Sequence, residues 1–238
     1  MTTPFVQNLP PAVREPIEQF ARHVAQLAGS LLSGFAVYGV ATTSAFDPAR
    51  HRVRSALVLE RFDLPFMRQL ARFGSRYGRL HLAAPVIMTP RYIHDSCDTF
   101  ALELLEIQQQ HQAILGHDHF VDLPLEKTHL RLQCERELKM FHVGMHQGLL
   151  ASLGDDGRLA DLTNDVADGV LRVLRGLLWL QGQPAADGAG LVAQVQRQLG
   201  RDLPGLEAVL TATDPLGWPQ FQQLYADIET LEQSIHGR

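Results

Sequence analysis

The stretch from Gly34 to Glu60 constrains the fold of this chain more than any other segment. It reads GFAVYGVATTSAFDPARHRVRSALVLE: a short apolar run, a glycine, a polar loop and a second apolar run. Short apolar runs bounded by glycine and loop-forming residues are typical of buried strands. We therefore predict a first strand over Phe35–Tyr38, a loop over residues 39–52 and a second strand over Ser55–Leu59.

The sequence pattern in the rest of the first half predicts helices and further strands next to these two strands. An amphipathic helix is predicted over residues 11–33, and a second helix begins after Asp63 and continues to about Tyr77. Additional strands are predicted over Leu80–Met88 and Phe100–Ile107. Strands that alternate with helices indicate an α/β or α+β domain with a mixed sheet.

One sheet should unite the apolar runs of this half. We expect Val37, Leu57 and the Phe100–Ile107 run to lie in that sheet, with Gly39 at the edge of a cleft. The order of the runs and the position of the loop glycine are the basis of this expectation.

The second half of the chain has a different pattern, which predicts an antiparallel helical bundle. Long helical patterns cover Glu126–Leu150 and Leu159–Leu180, and shorter ones follow them. We therefore expect two domains, an α/β domain over residues 1–124 and a helical bundle over residues 125–238. The predicted fold class is α+β, a mixed-sheet domain followed by the bundle.

The order strand, glycine, loop, strand resembles the opening of the nucleotidyltransferase fold. In that superfamily Gly-Ser follows the first strand and Asp-x-Asp lies on the next strand. In this chain Gly39 stands at the glycine and Val40 at the serine, while Val53 and Ser55 align with the two aspartates. Sliding the alignment by one or two residues brings no carboxylate into place. The resemblance implies the fold, but the residues that would hold Mg²⁺ are replaced.

A longer segment, Phe100–Leu150, resembles a bacterial group of nucleotidyltransferase-like proteins. In that group a Leu-Glu strand precedes a Gly-acidic turn and a long LRxQxExEL helix. The residues that carry this resemblance here are Glu103, Gly116, Asp118, Leu130, Arg131, Gln133, Glu135 and Leu138. The resemblance spans about residues 30 to 180, and it implies a nucleotidyltransferase-like domain followed by helices.

The resemblance also implies candidate site residues. The third carboxylate of the superfamily lies on a later strand and corresponds best to Glu103, our candidate catalytic residue. The loop after the glycine cradles phosphate in the superfamily, which gives as nucleotide-binding candidates Gly39, Thr42, Thr43, Arg52 and Arg54. Arg50 is a further cation in that loop.

No metal ligands are assigned and no cofactor is expected. Mg²⁺ enters only if the chain is an active enzyme that takes its metal ligands from unusual positions, namely Asp47, Glu60, Glu103 or Glu106. His142 and His146 have the i, i+4 spacing that can chelate zinc, and His117 and His119 flank an aspartate. The sequence fixes no third ligand for either pair, which favours ordinary surface or half-buried histidines.

Composition narrows the classes of function. The chain is 45% hydrophobic and 20% charged, with a net charge of −5 that arises in residues 126–238. Neither half has the basic excess of a nucleic-acid-binding protein, and no apolar run approaches the ~20 residues of a membrane span. Two cysteines do not form a disulfide framework, and the N-terminal residues lack a signal-peptide pattern, so we expect a cytoplasmic protein.

These observations predict a catalytically degenerate nucleotidyltransferase-like protein that acts by binding a protein partner or a nucleotide. The pattern of Leu159–Leu180 is apolar on more than one face, which favours a partner or self-association through the helical domain. Two alternatives stay open at this point. One is an active metal-dependent nucleotidyltransferase with non-standard carboxylate ligands, and the other is a scaffold or oligomer subunit without a ligand.

Overall fold

The structure is a computed structural model that describes residues 4–49, 51–186 and 188–236. The chain divides into two compact units between Leu125 and Glu126. Within the described residues the first unit holds the β-strands and the second is helical. No helix in this part of the chain combines the length and the apolar character that crossing a membrane requires.

The first unit combines five α-helices with a four-stranded sheet in its described residues. In chain order the elements are α1 (Pro11–Ala28), β1 (Leu32–Tyr38), β2 (Arg54–Leu59), α2 (Leu64–Ala71), α3 (Gly74–Gly78), β3 (Val86–Met88), α4 (Pro90–Asp95), α5 (Ala101–Gln109) and β4 (His111–Gly116).

Two short 3₁₀ turns flank the first strand. Gly29–Leu31 precedes β1, and Gly39–Thr42 follows it. The helix predicted over residues 11–33 therefore ends earlier than expected, at Ala28. Gly29 has a φ of 52°, and a glycine in this left-handed conformation is a common helix terminator.

The sheet has the strand order β3-β2-β1-β4. β1 is antiparallel to both of its neighbours, and β2 and β3 are parallel, so the sheet is mixed as predicted. Val37 and Leu57 lie in it together, which confirms that part of the expectation. The third strand is shorter than predicted, because Val86–Met88 alone pairs with β2 as a strand.

One predicted strand is wrong. The Phe100–Ile107 run, which we assigned to the sheet, forms the helix α5, and the strand that pairs with β1 is β4. Leu and Glu make up five of the eight residues of this run, and both favour helix over strand. The helix after Asp63 also ends earlier than predicted, at Ala71, although Asp63 caps it by accepting a hydrogen bond from the Phe66 N–H.

Helices cover both faces of the sheet. Alternate residues of a strand point to opposite faces, so Val37, Val53 and Leu57 belong to the core that includes α1 and α2. Ala56 and Val58 belong to a second core, which includes residues of α4 and α5. The position of a side chain along β2 therefore decides which of the two cores it meets.

The second unit is the predicted helical set. Its helices are α6 (Lys127–Ser152), α7 (Asp156–Leu180), α8 (Gly188–Leu199), α9 (Pro204–Thr211) and α10 (Trp218–His236). Glycines allow close packing at two of the contacts. A Cβ at Gly169 would overlap the ring of Phe141, and a Cβ at Gly205 would overlap the backbone at Leu224.

Candidate functional site

The turn that follows β1 is the candidate site that the sequence singled out. Gly39 has a φ of 73°, a left-handed conformation that favours glycine. Its N–H donates to the carbonyl of Gln110 at 2.8 Å, which ties the turn to the end of α5. The turn therefore has a defined geometry that depends on the absence of a side chain at residue 39.

Arg54 and Glu106 form an ion pair beside this turn. Arg54 Nη1 donates to Glu106 Oε2 at 3.1 Å, and Nη2 donates to Oε1. The Glu106 side chain is 9% exposed and that of Arg54 is 36% exposed. The guanidinium also lies 5.0 Å from the centre of the Tyr38 ring. Arg54 is thus held by protein groups, and a Cβ on Gly39 would come within 2.5 Å of Nη2.

The two threonines of the turn also bond within the protein. Thr42 Oγ1 donates to the carbonyl of Gly39 at 2.9 Å, and Thr43 Oγ1 donates to the carbonyl of Val40 at 3.0 Å. Arg52 is exposed, and Arg50 lies outside the described residues. Of the predicted nucleotide-binding cations that the structure describes, Arg52 is the more accessible to solvent.

Val53 and Ser55, the positions aligned with the aspartate pair, are both buried. Ser55 Oγ has no hydrogen-bond partner among the described residues. Neither side chain offers a carboxylate, and Mg²⁺ requires fixed oxygen ligands in near-octahedral geometry. The residues at the positions of the superfamily motif therefore do not fit the metal.

The remaining carboxylates do not assemble a metal site either. Glu103 lies half-buried on α5, a helix that contributes to the core on the other face of the sheet from Val53. Asp47 and Glu60 are exposed, and Glu106 is paired with Arg54. Among the described residues, no three His, Cys, Asp or Glu side chains are grouped to hold a metal ion.

The histidines contact other protein groups. His142 Nδ1 lies 3.2 Å from both carboxylate oxygens of Glu232, and His146 Nε2 lies 2.9 Å from the Tyr225 hydroxyl. These contacts join α6 to α10. Both members of the i, i+4 pair thus have partners on the neighbouring helix.

Two polar contacts of the loop after β4 were not predicted. His111 Nε2 lies 2.9 Å from both oxygens of Asp118, and Ser33 Oγ lies 3.0 Å from His119 Nε2. Burial, with His117 nearby, lowers the pKa of His119 below its ordinary value of 6.5. The Asp118 contact ties the loop after β4 back to the first residue of that strand, and the His119 contact ties the loop to β1. The sequence signal was present in the three closely spaced histidines, but the serine that bonds His119 lies far away in the chain.

Comparison with known proteins supports the fold. No protein-family model matches the chain, and no curated protein matches it. A solved structure of a spectinomycin adenyltransferase from Enterococcus faecialis, with ATP and spectinomycin, is similar to it with a TM-score of 0.61 and 11% sequence identity. The match covers 93% of this chain and 98% of that one. The chain therefore has a nucleotidyltransferase-like α+β fold.

Proposed function

We propose that this chain is a catalytically degenerate nucleotidyltransferase-fold protein that acts by binding, with the domain boundary after Pro124 that the sequence predicts. The observation that carries the proposal is the burial of Val53 and Ser55 where the superfamily has its aspartate pair. Without those carboxylates, a divalent metal has no fixed oxygen ligands beside the Gly39 turn. Nucleotide transfer depends on such a metal to neutralise charge on the phosphoryl oxygens.

The ligand that the fold favours is a nucleotide, since the similar adenyltransferase structure contains ATP. In this chain Arg52 is exposed at the loop, whereas Arg54 is held by Glu106. We expect weak binding that depends on Arg52 and does not require a divalent metal.

The test is a paired assay of transfer and binding. Purified protein is incubated with each labelled nucleoside triphosphate, Mg²⁺ or Mn²⁺, and protein, RNA or spectinomycin as acceptor. We expect no metal-dependent label transfer. Transfer that requires the metal and disappears in Glu103→Gln would contradict the proposal and support the active-enzyme alternative.

Binding is measured by titration with ATP in the presence and absence of EDTA. Arg52→Ser should weaken binding, and Arg72→Ser, which removes an exposed arginine at the end of α2, should leave it unchanged. Binding that vanishes with EDTA would contradict the metal-independent mode.

A protein partner is the second candidate, and one observation favours it. The helix α6 exposes apolar side chains at helical spacing: Leu132, Met140, Val143 and Leu150. Exposed apolar patches mark interaction surfaces when they are contiguous. On α7, the helix whose apolar pattern led us to expect association, Trp179 is half-buried and not fully buried.

Light scattering at micromolar concentration tests self-association through this face. We expect an oligomer that the double variant Val143→Glu, Leu150→Glu converts to a monomer. Arg197→Glu on α8 is the control, since it changes an exposed residue of another helix. A monomeric wild-type protein would contradict self-association. The partner would then have to be a different protein.

A further inference from the structure

The second unit contains a cavity that the Gly39 turn does not involve. Its volume is about 330 Å³, at the lower end of the range of about 300–1,000 Å³ for small-molecule sites. The N-terminal turns of α6 and the C-terminal turns of α7, α8 and α10 surround it. Its lining residues include Lys127, Arg131, Leu177, Val195, Gln198 and Ile235.

The walls of the cavity are mainly apolar. Leu177 and Leu180 come from α7, Val195 and Leu199 from α8, and Ile235 from α10. Val195 and Ile235 are buried. Such walls favour a ligand with an apolar body, because burial removes apolar surface from water.

Two cations stand on one side of the cavity. Lys127 and Arg131 are four residues apart on α6, so they lie on the same face of that helix, and both are exposed. Within the part of the chain that the structure describes, neither forms an ion pair. The helix N-terminus adds partial positive charge on the same side. This side of the cavity therefore favours an anionic group.

A polar atom in the lining also lacks a partner. Gln198 Nε2 is buried and has no hydrogen-bond partner among the described residues. An unpaired buried donor costs free energy. The α8 side of the lining is therefore not wholly apolar.

We propose that this cavity binds a small amphipathic anion, a carboxylate with an apolar body. The carboxylate lies towards Lys127 and Arg131, and the body lies against the leucines of α7 and α8. The C-terminal ends of α7, α8 and α10 carry partial negative charge, so the carboxylate is favoured only on the side of α6. An amphipathic cation is disfavoured by the two basic side chains.

Calorimetric titration with three probes of equal apolar body tests the charge preference: octanoate, octanol and octylammonium. We expect octanoate to bind at least tenfold more tightly than octanol, and octylammonium to bind more weakly still. Equal affinity for the three probes, or no octanoate binding at millimolar concentration, would overturn the proposal.

Variants test the site itself. The double variant Lys127→Glu, Arg131→Glu should weaken octanoate binding at least tenfold, while Arg136→Glu, a charge reversal on α6 outside the cavity lining, should change it less than twofold. Circular dichroism confirms that each variant is folded. Octanoate affinity that is the same in the double variant and in the wild type would place binding elsewhere and refute the proposal.

Discussion

The Gly39 turn and the bundle cavity differ in how their polar groups are partnered. At the turn, Arg54 is held by Glu106 and the threonine hydroxyls donate to backbone carbonyls. In the cavity, Lys127 and Arg131 form no ion pair among the described residues, and Gln198 Nε2 is unpartnered. The groups at the turn that the sequence singled out are thus held by other protein groups, whereas these groups of the bundle cavity, which the sequence did not indicate, are not.

The largest expected effect comes from breaking the ion pair at the turn. Arg54→Met alone should lower the free energy of unfolding by about 3 kcal/mol, since it removes the counter-ion of the buried Glu106 carboxylate. Glu106→Leu alone should cost less, because the Arg54 side chain is 36% exposed and water solvates its charge. The double variant should recover most of that loss. Denaturant unfolding measures all three, and additive losses would show that the two side chains do not stabilise each other.

The bundle offers a contrasting buried charge in Asp227. Its carboxylate accepts a hydrogen bond from the Leu206 N–H at 2.7 Å, but burial raises its pKa from 3.8 to about 6. The folded chain therefore binds this proton more tightly than the unfolded chain, and its stabilising contribution is lost as the pH rises from about 4 through 6. The loss should be roughly 2–3 kcal/mol.

Asp227→Asn removes this titration while keeping an oxygen that can accept from Leu206. The difference in unfolding free energy between wild type and variant should therefore change across this pH range. A difference that stays constant from pH 4 to pH 7 would contradict the raised pKa.

Two glycines allow the stability cost of a backbone conformation to be separated from the cost of a steric contact. Gly39 and Gly182 have φ values of 73° and 70°, but a Cβ would meet Arg54 only at Gly39 and nothing within 4 Å at Gly182. Gly182→Ala should cost about 1 kcal/mol for its backbone conformation, and Gly39→Ala about 2 kcal/mol. Thermal unfolding of both variants measures the two losses of stability. Equal losses would show that the Arg54 side chain moves away from residue 39 at no cost in free energy.

The smallest effect is expected at Ser55. Its hydroxyl is buried without a partner among the described residues, so Ser55→Ala should stabilise the chain by about 1 kcal/mol or leave it unchanged. Ser152→Ala is the matched control, because that buried hydroxyl donates to the Leu149 carbonyl at 2.8 Å and its loss should destabilise. Destabilisation of similar size in both variants would reveal a bond to Ser55.

The sequence predicted the elements whose hydrophobic patterns are long or are bounded by clear turn residues. The helix predicted over Glu126–Leu150 is observed as Lys127–Ser152, and the strands around Gly39 are confirmed. The strand predicted over Phe100–Ile107 is wrong because a short apolar run is compatible with either a strand or a buried helix.

Sequence patterns did not predict the contacts of the site. Arg54 and Glu106 lie on different elements, and only the packing of α5 against the sheet brings them together. Gln198 is one of many glutamines in the sequence, and its unpaired nitrogen follows from the arrangement of four helices. Residue types can be predicted from such a sequence, whereas their partners depend on the tertiary structure.

The position of β4 has a consequence for the order of folding. β1 pairs with β2 soon after it in the chain, but its other edge pairs with β4, where Tyr38 meets His111. Contacts between residues that are distant in sequence form slowly because a long loop must close first. During synthesis β1 therefore keeps one unpaired edge until β4 has emerged, and until then that edge is exposed to wrong strand pairing.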